Sequence, residues 1–243
     1  MKFLRKINII VWILAASAVY ISCTKETPHI ATPETDFSSA ASVQVFSATV
    51  KATRNYVYID GTPVSGTALA YGGIFPGTAY SFKVGAGARS ITIKDTLPAT
   101  TQVPLTFTQT MEAGKSYTIF TYDTITSTKQ ATVLNNIVVP TDTSSRLRFA
   151  NFIYNTTPVA NVDVYSFRKP GTAVFANVAT NQVTEFIPYA SGTTDTLYVY
   201  AAGTTSPLIV KQVIPSFVAT RSYSSVYNGS YRGTRAISTF ATY

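Results

Sequence analysis

From about residue 40 onward the chain states one pattern twice. Lys115-Ser116-Tyr117 returns as Arg221-Ser222-Tyr223, and Thr128-Lys129 returns as Thr234-Arg235, both 106 positions later. Tyr80, Ile91 and Ile93 fall on Phe186, Leu197 and Val199 at the same offset. Val57-Tyr58 matches Val164-Tyr165 at 107, and Gly66-Thr67-Ala68 matches Gly171-Thr172-Ala173 at 105. Ordered matches at a nearly constant offset require two similar folding units of about 100 residues, too long for the 20–50-residue period of a solenoid. The polar, turn-rich stretch Val139-Pro140-Thr141-Asp142-Thr143-Ser144-Ser145 divides them. We place copy one at residues 40–139 and copy two at 145–243.

Each copy must then find its secondary structure in a composition poor in helix formers. Charged residues make up only 12% of the chain, whereas Tyr (16) and Phe (14) are abundant and Thr, Val and Ala recur throughout. β-Branched and aromatic residues of this kind suit pleated, half-buried surfaces. Ser90-Ile91-Thr92-Ile93-Lys94 alternates polar and apolar side chains, as a strand with one buried face does. In copy one, strands are expected at Ser42–Ser47, Tyr56–Ile59, Tyr80–Val84, Ser90–Lys94, Leu105–Gln109, Ser116–Tyr122 and Gln130–Leu134. In copy two they are expected at Arg146–Phe149, Val162–Phe167, Val183–Ile187, Thr196–Tyr200, Leu208–Val213, Arg221–Tyr227 and Arg235–Phe240. So many short strands in so few residues predict an all-β protein: two tandem β-sandwiches of the immunoglobulin or transthyretin type.

The first 39 residues read differently. Lys2, Arg5 and Lys6 precede an almost wholly apolar run from Ile9 to Ile21, and Ser22-Cys23 follows. A basic start, a short apolar core and a small residue before the cut are the parts of a signal peptide. About 13 apolar residues fall short of the roughly 20 a spanning helix needs. Val19-Tyr20-Ile21-Ser22-Cys23 resembles the lipobox of bacterial lipoproteins, with Tyr20 where Leu is usual. The resemblance implies cleavage after residue 22 and lipidation of Cys23, the only cysteine in the chain. Residues 1–22 are thus expected to be a lipoprotein signal peptide and 23–39 a flexible lipidated tether, too polar and Pro-rich to fold. Thr24, in place of Asp, implies the outer membrane, with the periplasmic or surface-facing side left open. On this reading the order outward from the membrane is tether, copy one, copy two.

A family resemblance covers the rest. Arg146-Leu147-Arg148-Phe149-Ala150-Asn151, then Pro158 and Val162-Asp163-Val164-Tyr165, are similar to the opening of domain-of-unknown-function family 4397 (DUF4397). Copy one resembles it at Tyr56-Val57-Tyr58-Ile59-Asp60-Gly61, Gly87-Ala88-Arg89 and Ala113-Gly114-Lys115-Ser116-Tyr117. The resemblance spans roughly Ala40 to Tyr243. In copy two it departs where Thr220 replaces Gly114 and where the Asp-Gly turn is lost. It implies β-sandwich domains outside the cytoplasm and supplies no catalytic residues.

The chemistry open to such a chain is narrow. Its only histidine, His29, lies in the tether, away from any rigid scaffold that a triad or a His-based zinc site needs. The formal charge of +8 falls to +5 once Lys2, Arg5 and Lys6 are removed, and the remaining cations are scattered, unlike a nucleic-acid-binding stripe. We therefore expect no metal, no cofactor, no nucleic-acid partner and no catalysis. Asp95-Thr96-Leu97, Asp123-Thr124-Ile125 and Asp195-Thr196-Leu197 resemble a bacterial O-glycosylation acceptor at Thr96, Thr124 and Thr196; ordinary strand-end chemistry accounts for them equally well. Tyr227 and Tyr231 are candidates for stacking on a sugar or a protein partner, and Tyr117 and Tyr223, matched across copies, for core or corner positions. The expected function is a non-catalytic, lipid-anchored envelope protein that binds a glycan or another envelope protein, or acts as a spacer. A glycan-binding accessory role in nutrient uptake is the alternative, and a carboxylate-based glycosidase stands third.

Overall fold

A computed structural model describes residues 38–242, and every regular element in it is a β-strand. Copy one contains β1 (Ala40–Ser47), β2 (Asn55–Ile59), β3 (Thr62–Pro63), β4 (Ile74–Phe75), β5 (Phe82–Gly85), β6 (Gly87–Asp95), β7 (Leu105–Met111), β8 (Ser116–Tyr122) and β9 (Lys129–Leu134). Copy two contains β10 (Ser145–Tyr154), β11 (Val162–Ser166), β12 (Lys169–Val178), β13 (Gln182–Val183), β14 (Ile187–Tyr189), β15 (Asp195–Ala201), β16 (Val210–Ile214), β17 (Ser222–Ser230) and β18 (Arg235–Thr242). Each copy folds into two sheets. An outer sheet, β3-β2-β6-β7, faces an inner sheet, β4-β1-β8-β9, to which β5 adds beside β1. Copy two repeats this as β12-β11-β15-β16 and β13-β10-β17-β18, with β14 beside β10. The all-β expectation holds, and so does the division into two sandwich-like halves.

The repeat survives at the level of register. Val57 lies opposite Ile93 in copy one, and Val164 opposite Val199 in copy two. The first strand of each copy pairs in parallel with its penultimate long strand: Ser42 opposite Ser116, Arg146 opposite Ser222. Tyr117 Oη accepts a hydrogen bond from the Glu112 amide (3.2 Å), and Tyr223 Oη from the Val218 amide (2.9 Å). Each is a tyrosine corner, in which the ring packs inward and the hydroxyl ties down the preceding turn. The Gly66-Thr67-Ala68 match is a coincidence of sequence. Ala173 lies opposite Tyr165, whereas Pro63 lies opposite Tyr58. One expected strand also changes. Val183–Ile187 is broken into β13 and β14, and the short β3 and β4 and the edge strand β12, which carries Pro170 and Gly171, are additional to the expected set. An edge strand tolerates both residues, and β12 accommodates them with register shifts against β11.

Three cores run through the molecule. Val43, Val45, Val57, Ile91 and Ile93 fill the first sandwich, and Leu147, Phe149, Val164, Leu197 and Val199 fill the second. The third lies between the copies, where Phe46 and Phe120 meet Phe152, Val226 and Phe240. Phe46 stacks on Phe240 with centroids 5.3 Å apart, and Phe120 on Phe152 at 5.0 Å. The four sheets therefore form one stack, outer–inner–inner–outer, and β1 is buried along its entire length. This arrangement corrects the expected order outward from the tether. Ser42, Gly114 and Ser116 share a depression with Thr220, Ser222 and Thr242, so β1 and β10 start at the same end. The copies stand side by side, and neither lies beyond the other.

Polar side chains stitch this inner layer. Gln44 Nε2 donates to the Ala241 carbonyl (3.2 Å), and Tyr71 Oη to Asn228 Oδ1 (2.5 Å). Arg148 is buried between the copies, donating from Nε to Ser224 Oγ (2.6 Å) and from Nη2 to Thr118 Oγ1 (2.9 Å). Its guanidinium lies 4.7 Å from the Phe186 ring centre. Burial draws its pKa down to about 9, with Glu185 opposing weakly. Gly229, in the β17–β18 hairpin, permits the close approach. A Cβ there would collide with the Thr234 carbonyl oxygen and come within 2.9 Å of Tyr71 Oη.

Candidate functional site

Period-2 alternation makes the outer sheets the surfaces on which a ligand can be met. In β15 the odd-numbered residues Asp195, Leu197 and Val199 point into the second core. Thr196, Tyr198 and Tyr200 therefore face outward. Tyr165, directly opposite Tyr198 on β11, shares that face. Tyr165 and Tyr200 meet edge to face, with centroids 5.7 Å apart at 80°. Together with Pro170, Gly171, Tyr198 and Thr205 they line a shallow depression of about 240 Å³. Lys211 lies opposite Tyr198 on β16.

The carboxylates of this sheet are committed elsewhere. Asp163 accepts from the amides of Asn177 and Gly203, both at 2.7 Å. Asp195 is held by Ser166 Oγ (2.5 Å), Tyr189 Oη (2.6 Å) and the Thr196 amide (2.6 Å). Burial raises the Asp195 pKa, but these hydrogen bonds and one from the Arg168 amide outweigh it and hold the carboxyl below its ordinary value. The network fixes β11 and β15 relative to each other and so fixes the three rings before any ligand arrives.

A second concavity of about 410 Å³ lies where the copies meet, at the end opposite Ala40. Tyr122, Tyr154, Asn155, Thr157, Asn161 and Asn181 line it with hydroxyls and amides. Asp123 there is ion-paired with Lys129 Nζ at 2.8 Å. Among the described residues no group of three His, Cys, Asp or Glu side chains is placed to share a metal ion.

The sequence-predicted residues fare unequally. Tyr227 is fully buried in the second core, its hydroxyl without a hydrogen-bond partner, so it has no face to offer a ligand. It shares strand parity with Tyr223, the corner residue, which is why it turns inward. Tyr231 is half-buried against the same core, with the Arg235 guanidinium 5.5 Å from its ring centre. Thr96 is exposed just beyond β6, where Asp95 Oδ1 accepts from the Leu97 amide (2.9 Å). Thr124 and Thr196 are half-buried, each with its amide bonded to the preceding aspartate, at 2.8 Å and 2.6 Å. Cys23 and His29 lie outside the described residues. The platform of Tyr165, Tyr198 and Tyr200 escaped the sequence reading. Its signal was present in the repeat, because Tyr198 and Tyr200 stand 106 positions after Thr92 and Lys94.

Residues 41–160 match the family described as Domain of unknown function (DUF4397). The chain is a DUF4397 domain-containing protein. The match to DUF4397 takes in copy one from Ala41 onward and β10, and it ends before β11 and the tyrosine platform. The platform therefore lies outside the matched residues. No curated protein matches the chain.

Proposed function

We propose that this is a non-catalytic lipoprotein, anchored through Cys23 at the outer membrane, whose second copy binds a polysaccharide on Tyr165, Tyr198 and Tyr200. The observation that carries the reading is the three-ring cluster on the outward face of a rigid sheet. Aromatic rings give a sugar's C–H faces a flat apolar surface while their hydroxyls stay wet. A platform open along the sheet suits an internal stretch of polymer better than a small molecule, which a deep pocket would enclose. A pure spacer would have no use for three rings gathered on one outward face. The signal-peptide pattern and the polar tether support the anchor, and an accessory role in glycan uptake follows from placing such a module at the cell envelope.

Native affinity electrophoresis of the mature protein through gels containing soluble polysaccharides tests the reading. At least one polysaccharide should retard the wild type, and Tyr165→Ala, Tyr198→Ala and Tyr200→Ala together should abolish the retardation. Equal retardation of both proteins would refute the assignment. Fatty-acid labelling of wild type against Cys23→Ala tests the anchor separately.

A further inference from the structure

Exposed apolar side chains on this body are concentrated at one end, and it is the end at which the chain enters. Ser38–Ser39 lead into β1 there, beside the β7–β8 turn, where the Gly114 amide donates to the Ala40 carbonyl (3.0 Å). The segment after β9 leaves from the same end, with the Asn135 amide bonded to the Ser116 carbonyl (2.7 Å). It exposes Val138 (68%) and Val139 (67%). Val218 (55%) precedes the equivalent turn of copy two, and Tyr80 (69%) stands beside the end of β18. Phe167 (70%) heads the β11–β12 turn, which Arg168 Nε ties to the Thr194 carbonyl (2.6 Å). Nearby Ser191 Oγ reaches the Thr143 carbonyl (2.5 Å), placing that turn at the same end. The opposite end exposes only smaller portions of Leu97 (45%), Val103 (53%) and Leu208 (42%).

The charges between these side chains are mostly positive. Lys115, Arg146, Arg168, Lys169 and Arg221 all lie in or next to the turns just named. Of the acidic groups at this end, Asp60 is paired with Arg89 at 3.1 Å, Asp142 caps the Ser144 amide at 2.9 Å, and Asp195 is buried and held by Ser166 and Tyr189. Glu112 remains.

We propose that this end docks on a bilayer surface bearing anionic headgroups. Exposed Val, Phe and Tyr side chains interleaved with Lys and Arg suit an interface where rings and aliphatics enter the acyl boundary and cations meet lipid phosphates. A second copy fits the surface poorly, since two-fold contact would set cations against cations. The docking rests on the lipid-anchor reading for its local concentration. Fifteen residues lie between Cys23 and Ser39, and at about 3.5 Å each they span at most ~50 Å, which keeps this end within reach of the membrane.

The test uses the mature chain from residue 23 carrying Cys23→Ser, so that no lipid contributes. It is sedimented with phosphatidylcholine vesicles and with vesicles containing phosphatidylglycerol. The protein should co-sediment with the anionic vesicles. Val138→Asp with Val139→Asp should lower the partition coefficient about ten-fold, and Phe167→Asp about five-fold, through lost insertion. Lys115→Glu with Arg221→Glu should lower it about ten-fold and remove the preference for anionic lipid. All of these positions are exposed, and a matched thermal melt confirms that each variant folds. Absence of wild-type binding, or equal binding by all variants, overturns the proposal. So does concentration-dependent self-association that these substitutions abolish, which would assign the surface to a second copy. Fatty-acid labelling of Cys23 in cells reports on the anchor alone: lost labelling with intact vesicle binding removes the anchor and leaves the docking, and the reverse removes only the docking.

Discussion

The outward faces of the two outer sheets have the same frame and opposite surfaces. In copy one, Tyr58 lies opposite Thr92, and Lys94 Nζ sits 4.6 Å from the Tyr58 ring centre. The Arg54 guanidinium lies 5.6 Å from the centre of Tyr56, and Thr92 and Thr106 share a hydrogen bond at 3.0 Å. This is a self-satisfied surface of hydroxyls and cation-capped rings. In copy two, Tyr165 holds the place of Tyr58, Tyr198 that of Thr92 and Tyr200 that of Lys94. The capping cation has become a third ring. Two substitutions on one strand thus convert a closed surface into an open aromatic one, while the corner, the core and the strand register stay as they were. Duplication supplies one copy that keeps the fold's ordinary surface and another free to acquire a ligand.

The comparison can be broken most forcefully at the rings. Replacing Tyr165, Tyr198 and Tyr200 by alanine should weaken polysaccharide binding about 100-fold, at roughly 1 kcal/mol per stacked ring. Tyr56→Ala and Tyr58→Ala should change it little. Thr92→Tyr with Lys94→Tyr sharpens the point, since copy one should then gain binding, read by the same electrophoresis. The next effect concerns the layer between the copies, where Arg148 in β10 and Gln44 in β1 hold equivalent places. Arg148→Met removes a desolvated charge. Ser224 keeps its bond to Thr242 and Thr118 its bond to Asn135. Urea denaturation should show a gain of about 1–3 kcal/mol.

A smaller effect is expected at the turn before each corner strand. Gly114 (φ 72) and Thr220 (φ 63) share a left-handed conformation that suits glycine and strains a β-branched residue. Thr220→Gly should stabilise by about 1 kcal/mol, and Gly114→Thr should cost at least as much. The smallest is a pH effect. The Asp195 carboxyl titrates below its ordinary value in the folded protein, so its contribution is complete above the unfolded pKa near 3.8 and is lost as pH falls through the folded value. The acid-induced drop in Tm between pH 5 and pH 2.5 should be smaller in Asp195→Asn than in wild type.

Much of the architecture was written in local pattern. Ser116–Tyr122 coincides with β8, and Ser90–Lys94 lies within β6, because alternation within a copy records which side chains meet its own core. The layer between the copies was not legible. Ser42, Gln44, Arg148 and Ser224 have the polarity and parity of a solvated face, yet all are buried by the other copy. Only a partner sheet some hundred residues away decides that, and no local period encodes it. The candidate site was half legible. Tyrosines clustered along the chain drew attention to Tyr227, where strand parity with Tyr223 already placed it inside. The same parity, applied to Leu197 and Val199, placed Tyr198 and Tyr200 outside.

β1 is the first strand of the described residues, it runs parallel to β8 through six paired residues from Ser42 to Ser47, and it is enclosed on both faces. A pull on the N-terminus, such as drag on a polymer held by the body would exert through a fixed anchor, acts along the strand axis. Its hydrogen bonds are then loaded together in shear instead of being peeled one at a time. On the lipid-anchor reading proposed above, the strand nearest the attachment point would thereby be a mechanical clamp.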